Sequence, residues 1–184
     1  MGCGRADSGP IRYTCLDYCR NWLRRPYGIE LRETDVSEKN PIRVFVTHRF
    51  AESDDYLRFF EFLESVDNFF YLNCSAPDNV PKTGGIEAIK DELIAQIKQC
   101  EVVVVLASLY LEKPDLIRFQ IDAAEANHKP TLAIRPFGGV AETPKELAAR
   151  VKENVEWNER VIVDALRKLA RNEDTSRWEV IDFP

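Results

Sequence analysis

From Pro41 onward the chain alternates short β-branched runs with stretches of helical period. "IRVFVTH" (42–48) reads as a strand. "SDDYLRFFEFLESV" follows, with Ser53 placed to cap a helix and acids in its first turn. Leu57, Phe59, Phe60 and Leu63 are the residues expected to face a sheet. "FFYLNC" (69–74) reads as a second strand, and the loop "SAPDNVPKTGG" carries two prolines and two glycines. "IEAIKDELIAQIKQ" sets Ile86, Ile89, Leu93, Ile94 and Ile97 on one helix side. "EVVVVLA" (101–107) is apolar throughout, as a central parallel strand buried on both faces must be.

"PDLIRFQIDAAEANHKPTLAI" (114–134) predicts an amphipathic helix ending at His128 and then a fourth strand. Leu116, Ile117, Ile121, Ala124 and Ala126 supply its apolar side, with Gln120 in its middle. "TPKELAAR" predicts a short helix with Thr143 as its cap, "ENVEW" an edge strand, and "NERVIVDALRKLARNE" a closing helix. Repeated strand–helix units with short connections imply right-handed crossovers. The expected fold is α/β: a flavodoxin-like open parallel sheet with helices on both faces. Val102–Leu106 should lie at its centre.

The first forty residues break this rhythm. Cys15, Leu16, Cys19, Trp22 and Leu23 form one stripe on a short helix that ends at Pro26. The expected division is an N-terminal helical arm and linker (1–40), an α/β domain (41–172) and a C-terminal tail (173–184). Such a stripe must cover the chain's own domain or a neighbouring subunit.

Composition narrows the chemistry. The chain has 184 residues, 30% of them charged, with a net charge of -6. That balance disfavours nucleic acid as a partner. No apolar run approaches the ~20 residues of a membrane span. Gly2 and Cys3 raise the possibility of lipidation, but Ala6 stands where the myristoylation pattern wants Ser or Thr. Five cysteines at irregular spacing and two histidines assemble no metal site. A cytoplasmic protein with reduced thiols is the expectation.

Open α/β sheets bind ligands beyond the carboxyl ends of their strands. That rule selects Thr47, His48, Arg49 and Phe50 after the first strand, and Asn73 to Gly85, including Asp78, after the second. It adds Ser108, Leu109 and Tyr110 after the third, and Arg135 to Phe137 after the fourth. No acids stand at the receiver positions, and no Gly-rich phosphate loop follows the first strand. Phe50 either stacks on a planar base or caps the core. Tyr110 and Trp157 fit core roles better than ligand roles.

Five segments in order, "RVFVTHRFAESDDYLRFFEFLE", "NCSAPDNVP", "LIAQIKQCEVVVVLASLY", "LIRFQIDAAEANHKPTLAIRPFG" and "VEWNERVIVDALRK", resemble the TIR-like domains of the Thoeris ThsB type. The resemblance spans about residues 42 to 168. It implies a role in NAD-dependent immune or antiphage signalling. It also implies cleavage of the nicotinamide–ribose bond, with NAD as substrate and no separate cofactor, and formation in some relatives of a cyclic ADP-ribose-type signal. Implied partners are NAD or a related nucleotide, other TIR-like subunits and a downstream effector. His48, Arg49, Phe50, Asn73, Asp78, Ser108 and Tyr110 fall where the substrate would lie. Ser108 departs from the glycine that relatives often carry.

The family's catalytic glutamate lies about ten residues before a Lys-Pro pair, and Lys129-Pro130 places Gln120 at that position. A carboxylate there stabilises the oxocarbenium-like ribose left by nicotinamide. An amide lacks that charge, which typically costs on the order of 10²–10³ in rate. Gln120 is then a substitution that traps ligand in an active scaffold, a natural loss that leaves a nucleotide-binding or assembly module, or a position relieved by Asp78, Glu112 or Glu125. If Gln120 faces the cleft, Gln120→Glu should raise nicotinamide release by roughly 10².

The arm yields a separate prediction. Deleting residues 1–40 is expected to lower the melting temperature or the sedimentation coefficient of the assembly. Identical melting and sedimentation would make the stripe dispensable.

Overall fold

The computed structural model describes residues 36–138 and 142–173. The expected arm stripe (Cys15, Leu16, Cys19, Trp22, Leu23), the lipidation positions Gly2 and Cys3, and the tail beyond Glu173 lie outside the described residues.

Five strands, β1 (Ile42–Val46), β2 (Tyr71–Asn73), β3 (Val102–Leu106), β4 (Thr131–Ile134) and β5 (Glu153–Val155), form one sheet in the order β2-β1-β3-β4-β5. Every pairing is parallel. The order reverses between β1 and β3, the switch point at which open α/β sheets form crevices. β3 holds the centre as expected, and all five of its residues are buried.

Six helices are described: α1 (Asp54–Glu64), α2 (Gly85–Gln99), α3 (Ala107–Glu112), α4 (Pro114–Ala126), α5 (Lys145–Ala148) and α6 (Glu159–Arg171). α2 packs with α4, and α1 with α6, so that each face of the sheet is covered. The side chain of Ser53 caps α1 by accepting from Tyr56 N–H at 3.2 Å, as its position implied. α4 ends in a Schellman arrangement: His128 N–H reaches Glu125 O and Lys129 N–H reaches Ala124 O. His128 takes the left-handed conformation this closure needs, with φ 55.

Several local expectations are corrected. α1 buries Tyr56, Phe59 and Leu63, while Leu57 points outward at 43% exposure. The helix turns about 100° per residue, so Tyr56 rather than Leu57 shares a face with Phe59 and Leu63. Ile86, in the first turn of α2, is 67% exposed, and the buried residues of that helix lie in its second half, at Leu93, Gln96 and Ile97. Ala126 is exposed, whereas Ala123 joins the buried face of α4. Thr143 does not cap α5; Pro144 holds that position, and the Thr143 hydroxyl bonds Asn154 Oδ1 at 2.8 Å. Ser108 to Tyr110, expected only to follow the third strand, form part of α3.

At the carboxyl end of β1 the ladder outlasts the strand. Thr47 N–H donates to Val104 O at 2.9 Å, and Thr47 Oγ1 accepts from Leu106 N–H at 3.2 Å. Both residues are at most 1% exposed. Thr47→Val keeps the shape and removes that acceptor. It is expected to cost about 1–3 kcal/mol, read as a lower urea midpoint with an unchanged slope.

Candidate functional site

The buried face of α4 comprises Ile117, Gln120, Ile121 and Ala124, spaced i, i+3, i+4, i+7. That spacing turns Gln120 inward, and its exposure is 0%. Its Nε2 donates to His48 O at 2.9 Å, and its Oε1 accepts from His48 N–H at 3.2 Å. A weaker contact runs from Nε2 to Leu116 O at 3.4 Å. The amide thus pairs with the backbone of His48 as a neighbouring strand would. Its orientation is dictated, because only Oε1 can face an N–H and only Nε2 a carbonyl. The expectation that Gln120 faces a cleft is therefore corrected: its polar atoms are spent on backbone that has just left the sheet.

His48 begins a second chain of bonds on the same face. Phe50 N–H donates to His48 Nδ1 at 3.2 Å. That bond makes Nδ1 an acceptor, so the ring proton sits on Nε2, which donates to Gln96 Oε1 at 3.0 Å. Gln96 Oε1 also accepts from Ala76 N–H at 3.0 Å, and Gln96 Nε2 donates to Glu92 Oε1 at 2.9 Å. Glu92 Oε1 accepts in turn from Asn79 Nδ2 at 2.6 Å. Burial holds the His48 imidazole below its usual pKa; the Gln96 bond and the Glu92 charge oppose this more weakly. Phe50 sits edge-on to the His48 ring, 5.2 Å between centroids, with φ 58.

A separate polar group links β1 and β2 to α1. Asn73 Nδ2 donates to Tyr56 OH at 3.0 Å, Ser75 Oγ donates to Asn73 Oδ1 at 2.6 Å, and Val46 N–H donates to Ser75 Oγ at 3.0 Å. Burial pushes the Tyr56 phenol above its usual value, against the opposing effect of its hydrogen bonds to Asn73 and Ser75. Ser108 Oγ donates to Asp55 Oδ2 at 2.6 Å, and Asp55 also pairs with Arg58 at 3.1 Å. The Arg58 guanidinium lies 3.7 Å from the centre of the Phe137 ring.

The site residues singled out in the sequence thus fall into groups. His48, Phe50 and Gln120 meet on the α2–α4 face. Asn73 and Ser108 bond to α1. Arg49 pairs with Glu112 at 3.6 Å on the exposed rim. Asp78 is exposed. Tyr110 is buried, and its hydroxyl contacts Arg118 and Glu146, which ties it to α4 and α5. Of the alternative acids, Glu125 bonds Arg150 on the outer side of α4. Glu92, Gln96 and Asp55 were missed, whereas Ser75 lies in the selected stretch after the second strand. Gln96 had a legible signal, since it lies on the same side of α2 as Leu93 and Ile97.

Gly84 caps α2 at φ 92, and a Cβ there would meet Ala88 Cβ at 2.8 Å, so the glycine pair of this loop is conformational. Cys74 and Cys100 are buried. Burial pushes the Cys100 thiol up to about 12, which makes it a poor nucleophile. No His, Cys, Asp and Glu grouping among the described residues could hold a metal. No described helix is long and apolar enough to cross a membrane.

No protein-family model matches the chain, and no curated protein matches it. Among solved structures it is similar to the CMP N-glycosidase BcmB of Clostridium botulinum. The identity is 15% and the TM-score 0.40, over 67% of this chain and 96% of that one.

The clamp yields a prediction opposite to the one drawn from sequence. Gln120→Glu sets an ionised carboxylate against His48 O and removes the donor that carbonyl needs. A buried Glu has its pKa raised above the unfolded value of about 4.3. Its penalty is thus absent below that value and grows as pH rises through it. The variant is expected to lose about 1–3 kcal/mol at pH 7 and to recover most of the loss near pH 4.5. Equal stability of the variant and the native chain at pH 7 would refute the clamp.

Proposed function

We propose that this chain is a cytoplasmic TIR-like module of NAD-dependent immune signalling. It takes NAD or a related nucleotide at the carboxyl end of its sheet, and it does not cleave the nucleotide through residue 120. The observation that carries the reading is the Gln120 amide, fully engaged with the His48 backbone. The position where the resemblance expects a catalytic carboxylate instead holds a neutral strut. The features that support nucleotide binding are the doubly wound sheet, its switch point between β1 and β3, the half-buried Phe50 ring and the exposed Arg49 beside it. In this reading the module contributes binding and assembly with other TIR-like subunits, and signalling output depends on a partner.

One observation favours a second reading. Asp55 and Glu92 are carboxylates near the same end of the sheet, the first bonded to Ser108 and the second in the chain from His48. Either could supply the charge that Gln120 lacks, which would make the chain an NAD-cleaving enzyme with a relocated acid.

Titration calorimetry with NAD, run beside a nicotinamide-release assay on the full chain, separates the readings. Binding without release is the expected result. Release that falls by roughly 10² or more in Asp55→Asn or Glu92→Gln would assign catalysis to that acid. Neither binding nor release would leave assembly alone.

A further inference from the structure

The bonds that start at Phe50 N–H and end at Asn79 join the two loops that follow β1 and β2. Each link has a fixed direction: Phe50 N–H to His48 Nδ1, His48 Nε2–H to Gln96 Oε1, Gln96 Nε2–H to Glu92 Oε1, and Asn79 Nδ2–H to the same oxygen. One link depends on a lone pair that a proton can take. If His48 gains a proton at Nδ1, both ring nitrogens become donors. The Nε2 bond to Gln96 survives. Phe50 N–H then confronts a second donor and must turn to water.

We infer that the His48–Gln96–Glu92 chain is a proton-sensitive latch, which holds the loop after β1 closed while His48 is neutral and frees it from Phe50 outward when His48 takes a proton from solvent. The inference does not rest on which nucleotide, if any, occupies the cleft. Three features localise the movement. His48 itself stays in place, because its backbone N–H and C=O are bound by Gln120. Phe50 sits at φ 58, a conformation disfavoured for a bulky residue, so opening also relieves strain. Beyond Phe50, Ala51 and Glu52 are exposed.

The groups facing His48 set the balance. From α2 come neutral Gln96 and ionised Glu92; from α4, neutral Gln120; from the loop after β2, the backbone of Ala76; and from β1, the Phe45 ring at 5.5 Å. Arg49 on its own segment is turned to Glu112 of α3. The Glu92 charge assists protonation of His48, while burial resists it more strongly. The closed state therefore favours neutral His48, and its stability is fully present above about pH 6.5, the ordinary value, and falls as pH drops below it.

The test uses the ligand-free full chain. The sequence has two histidines, so a His128→Gln variant leaves the His48 ring signals alone in a proton NMR titration. Between the open and closed values, the amide protection factor of Phe50 should drop about tenfold per pH unit, because opening takes up one proton. The protection factor of Val104, in the centre of the sheet, should change far less over the same range. Glu92→Gln should move the His48 midpoint, and the loss of Phe50 protection with it, to lower pH. Parallel loss at Phe50 and Val104 would show that acid unfolds the whole domain rather than a latch. Phe50 protection that stays flat while His48 titrates, or a His48 midpoint unmoved by Glu92→Gln, would likewise overturn the inference. NAD binding at pH 7.5 is scored separately and bears only on the proposed function.

Discussion

The carboxyl end of β1 depends on one pair of hydrogen bonds between a side-chain amide and a peptide group. β1 stops pairing after Thr47, yet the backbone of His48 is still in the dry interior, with His48 1% exposed. Its N–H and C=O each need a partner there, since an unmade bond in such a place costs about 1–3 kcal/mol. Among the described residues no strand provides them. A primary amide carries one acceptor and a donor on the same planar group, and so it replaces the missing strand. Gln120 reaches because α4 packs against β3 and because two methylenes extend its amide from the buried face it shares with Ile117 and Ile121.

The features downstream of that pair follow from it. With His48 anchored at both backbone atoms, its ring is committed to the space between α2 and α4, where Gln96 meets Nε2. Because Gln96 must offer its oxygen to His48 and to Ala76 N–H, its nitrogen faces Glu92, and that choice orients Glu92 toward Asn79. A flip of either amide would set donor against donor along the chain. The polar residues here are few, but they are mutually constrained, and such networks specify one arrangement more sharply than apolar packing does. The group on α1, from Tyr56 through Asn73 and Ser75 to Val46 N–H, does the same for the join of β1 and β2.

How much of this was legible follows from period and range. The sheet was legible, because "EVVVVLA" has no polar face and parallel strands buried on both sides leave that pattern. The central place of β3 and the parallel topology came with it. Helix faces were legible less well. At α1 the choice between Tyr56 and Leu57 turns on one residue step, and hydrophobicity alone favoured the wrong one, whereas the phenol of Tyr56 is buried because Asn73 satisfies it. The site was legible in its addresses and not in its directions. His48, Asn73 and Ser108 do lie at strand ends, but which helix each one bonds depends on tertiary contacts separated by up to 72 residues in the chain. The inward turn of Gln120 was itself readable from Ile117, Ile121 and Ala124. It was read as facing a cleft at the strand ends, and the resemblance attached a catalytic expectation to that address.

That conflict has a physical resolution. A side chain at position 120 can present charge to a ligand, or it can bind the His48 peptide group, but one rotamer does not do both. An amide suits the second task because it both donates and accepts. An ionised carboxylate suits the first and is repelled by the carbonyl that the second requires. For this position to serve chemistry, the segment after Thr47 would have to leave α4 and satisfy its N–H and C=O elsewhere. The Phe50 bond to His48 Nδ1 and the Gln96 bond to Nε2 would have to change with it, since both hang from the same anchored residue. The glutamine is thus coupled to the path of the loop. Identity at position 120 and conformation after β1 are one choice, made at the point where the first strand runs out of partners.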